Sequence, residues 1–346
     1  MSTTATVPTD ERVASTGSFT KVLRRPEVGA AVAAVVIMLF FSTYTAEFFS
    51  EAGIGTWLNS SSRFGIMAVA VALLMIGGEF DLSAGAMTGT TGLLVGVLTT
   101  HYGVDLTSSV LISLAAALGI GALNGFLVMR TGLPSFIVTL GTFFVLQGIN
   151  LAVVKAIIDQ VAVQGFRLVP TFDAVRPVFG GTFSVLGVTM AVSVVWWIAV
   201  TAIATWVLMR TRAGNWIFAV GGAAASARQV GVPLMKTKVG LFMTTAFAGW
   251  LVGMISLFQS TSVTSATGVG DEFIYIICAV VGGCLLTGGF GSAIGAALGA
   301  LIYGMTGSGI VYANWDSDWL KAFLGVMLLG ACLINSWVRK RAEASR

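Results

Sequence analysis

Glu79 and Asp81 are the acidic pair best placed to do chemistry in this chain. They lie in the stretch GGEFDLSAGAMTG, Gly77 to Gly89, between two long apolar runs. A charged side chain in such surroundings is costly, about 2.5 to 3.5 kcal/mol for Asp at the centre of a membrane helix, so it must face protein or water. The pair could relay protons or contact a solute. It could equally break one helix and start the next, with Asp81 and Ser83 bonding the free amides of the following turn; its place near the ends of two runs suits that structural use. A second polar set lies in NGFLVMRTGLPSFIVTLGTFFVLQGIN, where Asn124, Thr139, Thr142, Gln147 and Asn150 interrupt apolar sequence. Hydroxyls and amides there can bond neighbouring helices or the hydroxyls of a bound solute.

Catalytic groupings do not assemble. His101 is the sole histidine, which leaves no material for a His-based triad. No lysine follows a glycine, so the phosphate-binding pattern GxxxxGK[ST] is missing. Cys278, Cys284 and Cys332 all fall in apolar stretches and read as small packing residues rather than metal ligands or a disulfide framework. The chain is therefore read as non-enzymatic and without a cofactor or metal of its own. Any energy source must be a partner or an ion gradient.

Composition dictates the elements that must hold these residues. With 56% apolar and 10% charged residues, and a mean hydropathy of +0.92, the chain has too little polar surface to cover a soluble globule and must be solvated by a lipid bilayer. The fold class expected is an all-α polytopic membrane protein. At 1.5 Å per residue a span needs about 20 residues, which gives ten candidates at about 28–46, 63–79, 82–100, 108–129, 135–155, 190–209, 239–259, 273–288, 290–311 and 319–337. The single transmembrane domain is thus 28–337, preceded by a disordered cytoplasmic tail, 1–27, rich in Ser and Thr, and followed by a basic cytoplasmic tail, 338–346. Residues 156–189 mix apolar and turn-forming residues and read as an external hairpin or interfacial segment.

Charge sets the orientation. The stretch 210–238 carries Arg210, Arg212, Arg228, Lys236 and Lys238 without one carboxylate, so it belongs on the cytoplasmic side, as do both termini. Topology explains the net charge of +4, and no nucleic-acid partner is implied. GALNGFLV at 121–128 and GAALGALIYG at 295–304 are similar stretches in the fourth and ninth candidate spans, which run in opposite directions. An inverted repeat is expected, with the solute path at its interface. The glycine pairs Gly282–Gly283 and Gly288–Gly289 interrupt helix, while Gly291, Gly295 and Gly299 make a close-packing face.

Taken in order, GGEFDLSAG, NGFLVMRTGLPSFIVTLGT, AVGGAAASARQVGV and AVVGGCLLTGGFGSAIGAALG resemble the permease subunits of bacterial ribose-type monosaccharide ABC importers. The resemblance covers nearly the whole chain from about residue 28. It implies a subunit of about ten helices in the inner membrane, paired with a second copy or a paralogue. It also implies cytoplasmic ATP-binding subunits, which would hold ATP and magnesium, and an extracytoplasmic substrate-binding protein. The basic stretch matches the family's A-[VI]-G-G-N-x-x-A-A-x-x-S-G-[VI] at Ala219 to Val232, which assigns Gly221, Gly222, Ala227, Arg228 and Gly231 to ATPase coupling. Ala223 stands where Asn is usual, Asn215 where a basic residue is common, and Val230 where a small polar residue is frequent. The translocation path is expected to involve Glu79, Asp81, Asn124, Phe136, Thr139, Gln147 and Glu272. From Glu272, just past Gly270 and Asp271, the chain reads EFIYII where the family tends to ELDAIA, a bulkier and more apolar segment. Related permeases for nucleosides or branched-chain amino acids, and an ion-coupled secondary transporter using Glu79 and Asp81, are the alternative readings.

Overall fold

The computed structural model describes residues 26–344, which form twelve helices, two antiparallel strand pairs and short connections. Among the described residues, seven helices are long and apolar enough to cross a bilayer: α1 (Pro26–Tyr44), α2 (Glu51–Ile76), α4 (Leu106–Thr131), α5 (Ser135–Ile158), α7 (Val192–Arg210), α9 (Leu234–Ser260) and α11 (Ala293–Tyr312). Between them stand α3 (Ser83–Thr100), the short α6 (Phe172–Phe179), α8 (Arg212–Gln229), α10 (Asp271–Val281) and the last helix, α12 (Trp319–Ala344). The expected tail 1–27 lies mostly outside the described residues, but Pro26 and Glu27 are already helical. The expected tail 338–346 is helix as far as Ala344.

Burial sorts the helices into a centre and a periphery. α2 and α9 bury 78% of their most apolar windows, whereas α1, α4, α5 and α7 bury 22–33%. The peripheral helices present Leu111, Phe126, Phe144, Ile198 and Trp206 outward, as side chains solvated by lipid must be. The two most extensive helix pairs are α4 with α9 and α2 with α11. Small residues set both: Gly121 and Gly125 bring α4 onto the backbone of α9, and Gly304 brings α11 onto Trp57 and Ser61 of α2.

The span expected at 273–288 is not one helix. α10 stops at Val281 after eleven residues, about 16 Å of rise, roughly half a hydrocarbon core. The cause is local. Gly283 adopts a φ of +93°, its amide bonds the Val280 carbonyl at 2.9 Å, and the Cys284 amide bonds Ala279 at 3.0 Å. That is a Schellman termination, which a left-handed glycine makes cheap. α2 ends in the same way, with Gly78 at φ +82°, Gly78 bonding Met75 at 2.9 Å and Glu79 bonding Leu74 at 3.1 Å. Thus both GG breaks are folded turns.

The region 156–189 contains a hairpin, β2 (Thr182–Val185) with β3 (Val188–Ala191), turning at Leu186 and Gly187. A two-residue strand, β1 (Ala162–Val163), pairs with β4 (Val263–Thr264). It thereby ties this region to the non-helical stretch between α9 and α10.

Candidate functional site: a glycine junction and a polar hub

Three glycine pairs that are far apart in sequence meet at one point. Gly77–Gly78 ends α2, Gly288–Gly289 lies in the break before α11, and Gly221–Gly222 sits within α8. The Gly289 amide bonds the carbonyl of Ile76, the last residue of α2, at 2.8 Å. A Cβ on Gly221 would overlap that same Ile76 carbonyl and stand 2.7 Å from the Gly289 amide nitrogen. A Cβ on Gly288 would stand 2.8 Å from the Gly78 Cα and 2.9 Å from the Gly221 carbonyl oxygen. Backbone therefore touches backbone across all three elements, and α8 is seated against both helix breaks.

Beyond that seat α8 is closed at both ends. Thr211 caps its start by accepting the Gly214 amide at 3.3 Å. Its end is another Schellman turn: Gly231, at φ +83°, bonds the Arg228 carbonyl at 3.1 Å, and Val232 bonds Ala227 at 3.0 Å. This gives Ala227, Arg228 and Gly231 a backbone role that sequence matching alone does not supply. Ala223, which replaces the family's usual Asn, is where the helix kinks, with extended φ −157° and ψ 77°. Past the kink, Arg228, Gln229 and Val230 are exposed, Val230 to 79%.

The carboxylates sit immediately beyond the first break. Glu79 is ion-paired with Lys238 in the first turns of α9, both side chains being largely buried. Lys238 was expected only to orient the chain; the fold gives it a partner, because α9 begins at Leu234 and carries the lysine into the bundle. Asp81 Oδ1 accepts the Ser83 amide at 2.8 Å and the Ser83 hydroxyl at 2.5 Å, and Oδ2 accepts the Thr245 hydroxyl at 3.2 Å. Asp81 thus meets the first free amide of α3, while Ser83 serves as a relay: its oxygen accepts Asn124 Nδ2 at 3.0 Å, and Thr142 donates to Asn124 Oδ1 at 2.6 Å. Thr139 accepts the Leu82 amide at 3.0 Å and Ser135 accepts the Phe80 amide at 3.0 Å. Every side chain in this hub has a named partner, which is what a buried polar cluster requires. The Glu79–Lys238 pair should show a coupling of about 1–3 kcal/mol in a double-mutant cycle of Glu79→Gln and Lys238→Met, read from unfolding in detergent. A value under about 0.3 kcal/mol would mean that the two charges act independently.

Of the residues singled out in sequence, Asp81, Ser83, Asn124, Thr139 and Thr142 are brought together and Glu79 adjoins them. Glu272 is buried elsewhere, its Oε2 accepting the Gly270 amide at 3.0 Å and abutting Gly85 of α3. Phe136 and Gln147 are not in the cluster. The buried stripe of α5 runs through Ser135, Thr139, Leu146, Asn150 and Val154, a helical spacing that leaves Phe136 outside it, 52% exposed, and Gln147 only half-buried. Sequence reading missed Ser135, Thr245 and Lys238. The first lies on that stripe and was legible; the others come from α9, and nothing local announces the pairing.

A family model described as the permease component of the branched-chain amino acid transport system matches residues 53–332. The chain is similar to the fructose import permease of Rhizobium meliloti, 29% identical over 90% of this chain and 87% of that one. The ribose import permease of Escherichia coli is 28% identical, over 90% and 94% of the two chains. The xylose/arabinose import permease of Sulfolobus acidocaldarius is 29% identical, over 93% and 88%. No solved structure matches the chain significantly.

Proposed function

The chain belongs to the family of branched-chain amino acid transport system permease components, and from that premise we propose that it is the membrane subunit of an ATP-driven importer that moves a monosaccharide across the inner membrane. The relatives named for ribose, fructose and xylose/arabinose import favour a sugar over an amino acid. The subunit itself is not catalytic. ATP and magnesium bind to cytoplasmic ATPase subunits, an extracytoplasmic protein delivers the sugar, and a second permease copy or paralogue completes the path. Both termini and α8 lie on the cytoplasmic side.

The observation that carries this reading is the seat of α8. Its exposed tip, Arg228 to Val230, is free to dock on an ATPase, and its Gly221 backbone bears directly on the breaks after α2 and before α11. Closure of the ATPase pair on nucleotide moves α8, and α8 can move the two breaks with it. ATP biases the transport cycle because it binds the two conformations with different affinity, as any ligand-driven shift requires.

The reciprocal helix pairs support an inverted repeat within a ten-span subunit. Exchanging α2 with α9 and α4 with α11 turns the α2–α11 pair into the α4–α9 pair. The same exchange relates the non-helical stretch 77–82 to the stretch 261–270. One enters the bundle from the cytoplasmic side and the other from the opposite side, which is the arrangement alternating access needs.

Arg228→Glu places a like charge where an acidic docking cleft would meet the arginine. In reconstituted liposomes it should lower the stimulation of ATP hydrolysis by the sugar-loaded binding protein at least tenfold while the permease folds in normal yield. Wild-type stimulation and uptake by this variant would overturn the docking assignment.

A further inference from the structure

Between α2, α3, α9 and the stretch 261–271 lies a cavity of about 220 Å³ whose walls are about half polar. It has no part in the junction or the hub described above. Its mouth is at Ser260 and Ser262, which are exposed at the far end of α9; its floor is at Thr88 and Tyr275, which are buried.

The stretch that forms one wall descends into the bundle as non-helical backbone. Val263 packs on Gly92 of α3, Thr267 on Gly89 and Gly268 on Gly85. Its amides are met by turns and by the strand pair: Ser265 bonds Val161 at 3.0 Å, Thr267 bonds Thr264 at 3.1 Å, and Asp271 bonds Gly268 at 3.2 Å. Irregular backbone at such depth is tolerated where it is buried in protein or lines an aqueous space. Here it does both.

The lining is that of a polyol site. Arg63 of α2 and Asp271, the first residue of α10, both face the cavity, yet among the described residues they make no ion pair with each other. A guanidinium offers only donors and a carboxylate only acceptors. Hydroxyl groups, which are both, can bridge the two. Thr88, Ser256 and Thr267 add hydroxyls, and Phe64 beside Tyr275, at 5.9 Å between ring centroids, adds an apolar face for the carbon side of a ring. An engineered cavity of about 150 Å³ holds benzene, so this one takes a single small ring with its substituents.

Resting on the sugar-import reading, we propose that this cavity is a binding site for one neutral monosaccharide, held between Arg63 and Asp271 on its way from the binding protein into the bundle. From its floor at Thr88 to the hub at Ser83 is five residues of α3, about 7.5 Å of rise. The site therefore lies about one and a half turns of α3 from the hub.

The test is protection from labelling in the complete complex, in liposomes, with a membrane-impermeant thiol reagent at Ser256→Cys. Ser184→Cys in the β2–β3 hairpin is the control, and Thr267→Cys takes the place of Ser256→Cys if that variant folds poorly. Ribose, fructose and xylose are the probes, with leucine beside them. Whichever sugar the wild-type complex transports should slow labelling in the cavity several-fold and leave the hairpin cysteine unaffected. Adding Arg63→Gln should raise the sugar concentration giving half-protection about tenfold. Active sugar uptake without protection overturns the site and leaves the transport reading standing. Protection and uptake with leucine in place of any sugar overturn both.

Discussion

Replacing Gly221 by alanine is expected to cost the folded permease about 2–3 kcal/mol or more and to uncouple what still folds, whereas the same change at Gly222 should be nearly silent. The added methyl at Gly221 would overlap the Ile76 carbonyl oxygen and press on the Gly289 amide. Those atoms are backbone, held by the 2.8 Å bond between them, and cannot swing aside as a side chain would. Overpacking a rigid site typically costs 1–3 kcal/mol, and occasionally more where backbone has to move. If α8 retreats instead, it leaves its seat on both breaks, and stimulation of ATP hydrolysis by the loaded binding protein falls with it. At Gly222 a Cβ would meet nothing nearer than 3.9 Å and the residue is exposed, so the effect should stay within about 0.5 kcal/mol. Unfolding in detergent and coupled ATPase activity report the two consequences separately. Equal behaviour of the two alanine variants would remove the case for the junction.

That contrast marks how far the sequence could be read. The AVGG motif presents its glycines as equivalents, and family resemblance assigns both to coupling. Their difference arises from Ile76 and Gly289, about 145 residues before and about 70 after, and no local pattern encodes such a meeting. Periodicity and composition did carry the all-α membrane class, the break at GGEFDLSAG and the glycine interruptions near residue 282, because each follows from local backbone chemistry. They failed where a helix is shorter than its apolar run. Residues 273–288 read as one span because Leu285 and Leu286 prolong the apolar run beyond the glycines, yet the left-handed Gly283 ends the helix. Lys238 was legible as a charge but not as a partner of Glu79, since the pairing depends on how α9 packs beside the first break.

Asp81 allows the structural and proton-carrying readings of the acidic pair to be separated. Its two oxygens accept three hydrogen bonds, from the amide and hydroxyl of Ser83 and from Thr245. Asp81→Ala strips all of them from a site where Asp81, Ser83 and Thr245 are each no more than 3% exposed. A buried group left unmet costs about 1–3 kcal/mol. Ser83 could turn its hydroxyl elsewhere, and Thr245 already lies 2.9 Å from the Phe242 carbonyl oxygen, so the unmet α3 amide sets the floor and the whole loss should come to about 2–4 kcal/mol, with little folded protein recovered from membranes. Asp81→Asn is the informative companion. Its amide oxygen can keep both Ser83 bonds, and its NH2 group can donate to Thr245, so the bond to the first α3 amide survives and most of the stability with it. A carboxylate that only meets a helix's free amide leaves the pH profile of uptake unmoved when it becomes an amide. A proton carrier cannot be replaced in that way: a well-folded Asp81→Asn permease whose uptake lost or shifted its pH dependence would establish the relay. With α8 tied to both breaks and Asp81 bonded to three neighbouring groups, the expected result is an unchanged profile at near-normal yield, energy entering through α8 and the acidic pair holding the first break in shape.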